Sequence, residues 1–279
     1  MRSILVLGLV FGLASAIPSA TAPLPFRLVN TSDLIVPVML DGQGPFRFLF
    51  DTGSTRTTVS AKMAHRLGLR PVAKTVMVTP AGRSTRLVAL LERLTVGAAG
   101  PTSVRAMIVP DDDLGHGIDG LVGQDVLAAL TYTIDYTQGH VMWHPSGVEH
   151  VSGVRLPLEF SEGRPIVSLR QRADKSNALQ LIPDSGADAL VLFARPGRGL
   201  PFLTLLDVGG LRTLGGQQLV RWVRVDDLDV GAIRLRDQIA VIVSRPEADA
   251  PLGDGLLPLH LFARVTFDGT RKELIVEAR

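Results

Sequence analysis

Hydrophobic and polar positions change over in short blocks along most of the chain. Residues 46–50 and 239–243 are apolar runs of strand length, closed off by Gly, Pro and Asp turns. Helix-period stretches are few. Ser60 is placed to cap a short helix through Leu67, with Gly68 as its stop, and residues 125–130 allow another turn or two. The pattern predicts an all-β protein with minor helix, built as small barrel-like lobes.

One run breaks the pattern. Residues 4–13 are continuously apolar, preceded by Arg2 and followed by Ala14-Ser15-Ala16. That is the layout of a secretory signal peptide cleaved after Ala16, and it is short for a membrane span of about 20 residues. The mature protein is expected to be periplasmic or secreted, with no stable membrane span.

The blocks also recur in order. Leu94-Thr95-Val96-Gly97-Ala98 matches Leu228-Asp229-Val230-Gly231-Ala232 at a distance of 134 residues. Ala106-Met107-Ile108-Val109 matches Ala240-Val241-Ile242-Val243 at 134, and Asp119-Gly120-Leu121-Val122 matches Asp254-Gly255-Leu256-Leu257 at 135. We read two copies of a unit of about 130 residues. After a leader at 1–16, one lobe spans 17–147 and the other 148–279, joined through the turn-rich, polar stretch 146–155.

Composition narrows the chemistry. The 29 basic and 27 acidic residues leave a formal net charge of +2, which provides no electrostatic footprint for nucleic acid. There is no cysteine, so disulfides, thiolate catalysis and Cys-based metal sites are excluded. Asp111-Asp112-Asp113 lacks the alternating ligands of a calcium loop and reads as a solvated loop. His140, His144 and His150 match no zinc spacing. Neither a metal nor another cofactor is expected. Trp143 and Trp222 read as core or interface aromatics.

Two short motifs remain, Phe50-Asp51-Thr52-Gly53-Ser54 and Pro183-Asp184-Ser185-Gly186-Ala187, whose aspartates lie 133 residues apart. Two carboxyl groups brought about 3 Å apart cannot both ionise, so one stays an acid while the other serves as a base. Such a pair activates water without a metal or covalent nucleophile. Gly53 and Gly186 permit tight turns and close approach. Thr52 and Ser185 supply hydroxyls able to bond across a lobe interface. Ser54 is placed to donate a hydrogen bond to the Asp51 carboxylate, or to bond its own backbone. Ala187, in the matching position, has no hydroxyl. Which aspartate holds the proton is not readable at this level.

These motifs resemble those of the aspartic proteases. Leu121-Val122-Gly123 and Leu256-Leu257 are similar to the apolar pair and glycine beneath the active-site loop of that family. The stretch from Leu121 to Leu127 is similar to retropepsin sequences. Size and internal repeat resemble the bacterial two-lobed, retropepsin-like aspartyl proteases, and the resemblance covers nearly all of the mature chain. It implies the acid-protease fold with a cleft between the lobes. It also implies a monomer-competent endopeptidase of peptide or protein substrates, with Asp51 and Asp184 catalytic. Asp188 resembles a retropepsin aspartate that contacts substrate backbone, while the first lobe has Thr55 there. Pro258 stands where the second lobe's glycine is expected, so the underlying loop should differ. Gly82 in one hairpin, and Gly215 and Gly216 in its counterpart, mark two flaps over the cleft, neither tipped by Tyr or Trp. Two other functions stay open: a catalytically silent peptide-binding module, and a hydrolase using the same dyad on a non-protein amide.

Overall fold

The computed structural model describes residues 22–79, 82–145, 147–148, 151–171, 178–194, 203–213, 216–244 and 253–279. The leader 1–16 lies outside these residues. Strands dominate, in three sheets. The first eight-stranded sheet runs in the order Arg27–Val29, Asp33–Leu40, Gln43–Phe50, Gly120–Val122, Thr58–Ser60, Ala99–Val109, Gly82–Val96, Pro71–Thr79. The second runs Glu159–Ser161, Arg164–Gln171, Ala178–Asp184, Gly255–Pro258, Leu190–Ala194, Ile233–Ser244, Gly216–Val230, Leu203–Thr213. Read strand by strand, the two orders are the same.

Each sheet also curls back on itself. Val38 pairs with Val96 in the first, and Arg170 with Asp229 in the second. The result is a barrel-like lobe around an apolar interior. Within each lobe the strand bearing the aspartate motif runs parallel to a short partner: Phe50 pairs with Val122, and Asp184 with Pro258. Such fully buried partners read as plain apolar runs rather than alternating ones.

The third sheet was not anticipated. Its six strands come equally from the two halves, in the order Leu24–Pro25, His140–Trp143, Tyr132–Asp135, Phe262–Asp268, Glu273–Ala278, Val154–Pro157. At its centre Thr133 pairs with Thr266, and their hydroxyls are 2.7 Å apart. The lobes therefore share a floor. The largest apolar cluster runs through it from Val36 and Phe50 to Leu181 and Val276. Trp143 is buried there, within ring-packing distance of Phe50 and Tyr132. Phe50 meets Tyr132 edge-on with ring centroids 5.3 Å apart, which pins the strand leading into Asp51 to the floor.

Helix is limited to short pieces. Ser60 caps Ala61–Arg66 by accepting from the Met63 amide, the chain leaves the helix at Leu67, and Gly68 follows with φ +63°. Gln124–Leu127 forms one turn. The acidic run forms a turn too, Asp111–Leu114, rather than an open loop. Asp111 accepts from the Lys62 amide, and Asp113 pairs with Arg86 at 3.1 Å. No helix among the described residues is long and apolar enough to cross a membrane.

Candidate active site

Asp51 and Asp184 are each delivered by the end of a buried strand onto a tight turn, and their carboxyls meet in hydrogen-bonding contact. The turns are locked to each other through four bonds across the lobe interface. The Thr52 amide donates to Ser185 Oγ at 3.0 Å, and the Thr52 hydroxyl donates to the Pro183 carbonyl at 2.8 Å. In return, the Ser185 amide donates to Thr52 Oγ1 at 3.0 Å and its hydroxyl to the Phe50 carbonyl at 2.6 Å. Both hydroxyl residues are almost fully buried. Their polar atoms can be sealed off because each finds a partner in the other lobe.

The two carboxyls are solvated differently by the backbone. Asp51 Oδ1 accepts from the amides of Gly53 at 2.9 Å and Ser54 at 3.1 Å. Asp184 Oδ1 accepts from Gly186 at 2.7 Å, with a weaker contribution from the Ala187 amide. Burial pushes the Asp51 carboxyl up to about 6, partly offset by its two amides. Burial also raises the Asp184 carboxyl well above the usual aspartate range, and the neighbouring Asp51 charge adds to the rise. With two amides on Asp51 Oδ1 against one short bond on Asp184 Oδ1, the backbone favours the negative charge on Asp51 and the shared proton on Asp184.

Space is unequal as well. A β-carbon on Gly53 would stand 2.8 Å from Asp184 Oδ1 and closer still to Cγ and Oδ2. On Gly186 it would stand 3.4 Å from Asp184 Oδ1 and 3.5 Å from Asp51 Cγ, which is ordinary contact.

Of the two roles open to the Ser54 hydroxyl, the structure shows the bond to local backbone. It is the amide of Ser54 that reaches Asp51; the hydroxyl turns away and donates to the Arg56 carbonyl at 3.1 Å. That is the local side chain-to-backbone bond serine makes readily in turns. Asp188, whose partner was not evident, receives the Ser32 hydroxyl at 2.5 Å. Gly82 opens the return strand of the first hairpin opposite Thr79, and Gly216 does so in the second opposite Thr213. Gly215 lies outside the described residues, as do Pro80 and Ala81.

Several supporting residues had no assigned role. Gln124 donates through Nε2 to the Thr52 carbonyl at 2.7 Å, bracing the Asp51 turn from below. Asp125 accepts from the Thr57 amide at 2.9 Å and the Thr57 hydroxyl at 2.7 Å, and that hydroxyl accepts from the Gly123 amide at 3.3 Å. Gly123 has no room for a side chain, since a β-carbon would lie 2.6 Å from the Arg56 carbonyl carbon. The second lobe is built differently at this point. Leu190 stands in for Thr57, Pro258 for Gly123 and His260 for Asp125. Pro258 has no amide hydrogen to satisfy, and the chain passes into the 3-10 turn Leu259–Leu261 instead of an α-turn.

Residues 36–126 match the family model described as aspartyl protease. A search of curated proteins returns no match. Among solved structures, basic 7S globulin from soybean aligns over 91% of this chain and 95% of its own, with a TM-score of 0.51 and 10% identity. At that identity the likeness is one of fold. The stretch carrying Asp51 through Gly123 is thus similar to the aspartyl proteases, within a fold shared along nearly the whole chain with the soybean globulin.

Proposed function

We propose that this chain is an exported aspartic endopeptidase that hydrolyses peptide bonds with water activated between Asp51 and Asp184, without a covalent intermediate. The observation that carries the reading is the contact between two buried carboxyls with unequal backbone support. Asp51, the better stabilised anion, takes a proton from the water. Asp184, holding the other proton, donates it to the substrate carbonyl as the tetrahedral intermediate forms. Asp51 then passes the proton it took from water to the leaving nitrogen, while the hydroxyl formed on the carbonyl oxygen returns its proton to Asp184 as the C–N bond breaks, and the dyad regains its starting charge.

Both aspartates come from one chain, so a monomer suffices. An extended peptide would lie between the lobes, with the hairpins of Gly82 and Gly216 as flaps. Export rests on the leader at 1–16, and a periplasmic or extracellular site of action follows from it. The test is cleavage profiling of the mature chain with a diverse peptide library across pH, beside simple non-peptide amides. Peptide cleavage supports the reading; turnover of the non-peptide amides alone overturns it.

A further inference from the structure

We infer that Ser32 is a positioning residue for the acid of the dyad, tying the first lobe to the Gly186–Ala187 peptide unit that supports Asp184. The inference rests on the dyad reading above. Ser32 is 1% exposed and sits in the turn between Arg27–Val29 and Asp33–Leu40. Its hydroxyl crosses the lobe interface to Asp188 Oδ1 at 2.5 Å and to the Gly186 carbonyl at 3.3 Å.

That carbonyl belongs to the same peptide group as the Ala187 amide, which points at the Asp184 carboxyl. A peptide group is planar and rigid, so holding its oxygen aims its N–H. Ser32 thereby acts on Asp184 without touching it. A hydroxyl has one hydrogen. The shorter arm to Asp188 takes most of it, so whatever engages Asp188 alters how firmly the Gly186 carbonyl is held.

The arrangement is one-sided. The corresponding turn of the second lobe, Glu162-Gly163, approaches Thr55, where a β-carbon on Gly163 would stand 3.9 Å from Thr55 Cγ2. Among the described residues no hydrogen bond links that turn to Thr55. Among the described residues only the Asp184 loop is tethered in this way, on top of the four symmetric bonds of Thr52 and Ser185. The charged and titratable groups facing this loop are Asp51, Asp33, Asp188, His260, Tyr136 and Arg279.

The test compares full-length Ser32→Ala and Asp188→Ala with the wild type. It uses carboxyl carbon NMR titration of Asp184 and pH profiles of kcat and KM on a peptide. An amide that points at a carboxylate favours its ionised form, so loosening it raises the pKa. Ser32→Ala should move the Asp184 titration and the alkaline limb of kcat up by about half a pH unit, with KM held within about twofold. Asp188→Ala frees the hydroxyl for the Gly186 carbonyl and removes a negative charge, so it should move the titration down. An unchanged Asp184 titration in Ser32→Ala, or an upward one in Asp188→Ala, overturns the inference. The NMR titration needs no turnover. Failure of the wild type to cleave peptides would therefore sink the protease reading while the titration still decides the role of Ser32.

Discussion

The α-carbon of Gly53 faces the carboxyl of Asp184 across the lobe interface, with no space between them for a methyl group. Gly186, its counterpart, leaves that space open toward both aspartates. Equivalent glycines in the two motifs are therefore not equivalent in use. Gly53→Ala must push the Asp184 carboxyl out of its contact with Asp51. A displacement near 1 Å is enough to cost about 100-fold in turnover. Gly186→Ala should cost less than about tenfold. Steady-state kinetics on one peptide, with circular dichroism to verify folding, separates the two.

The pH profile should carry the mark of burial. Catalysis needs one proton on the pair, and the first to leave comes off near pH 6, where the Asp51 carboxyl is held by its buried setting. We expect kcat/KM to rise through about pH 6 and to fall only at a distinctly higher pH, as the second proton leaves. A rising limb close to 3.8, the ordinary aspartate value, would contradict this.

Stability should respond with the opposite sense to activity on the acid side. Both carboxyls have folded-state pKa values raised above the unfolded value. Their contribution is fully present below the unfolded value and is lost as pH rises through the folded ones. Replacing both by asparagine should thus raise Tm at pH 7, with the gain shrinking toward pH 4. Thermal melts of wild type and the double variant across this window decide the matter; a gain that grows on acidification would contradict the burial argument.

Thr52 and Ser54 are adjacent hydroxyl residues with opposite expected weight. Removing the Thr52 hydroxyl in Thr52→Val strands the Pro183 carbonyl and the Ser185 amide in a dry interface. The expected cost is about 3 kcal/mol of folding stability. Ser54→Ala breaks only a bond to the Arg56 carbonyl and spares the amide that supports Asp51. It should stay within about 0.5 kcal/mol, with activity changed less than about threefold. Denaturant melts and kinetics on both variants provide the check.

The meeting of Asp51 and Asp184 could be read from the sequence because each motif is concentrated in a few consecutive residues behind an apolar strand. The barrel-like lobes could be read because buried strands leave apolar blocks, and the Ser60-capped helix because capping is local. The shared six-stranded floor could not. Its edge strand Leu24–Pro25 has two residues, and Thr133 meets Thr266 across 133 positions. Ser32 was invisible for the same reason: an ordinary turn serine gains meaning only by meeting a loop 154 residues away. Gln124 and Asp125 stood within a recognised stretch, yet nothing local said that they brace Thr52 and Thr57. The difference expected at Pro258 has a physical basis in the paired loss of the Gly123 amide and the Thr57 hydroxyl.

The most direct test of the dyad is turnover of one cleaved peptide by Asp51→Asn and Asp184→Asn, each verified to be folded by its thermal melt. Removing either the base or the acid should lower kcat by at least about 1000-fold, since neither asparagine can exchange a proton with water or substrate. A folded variant of either kind that turns over at the wild-type rate would contradict the account.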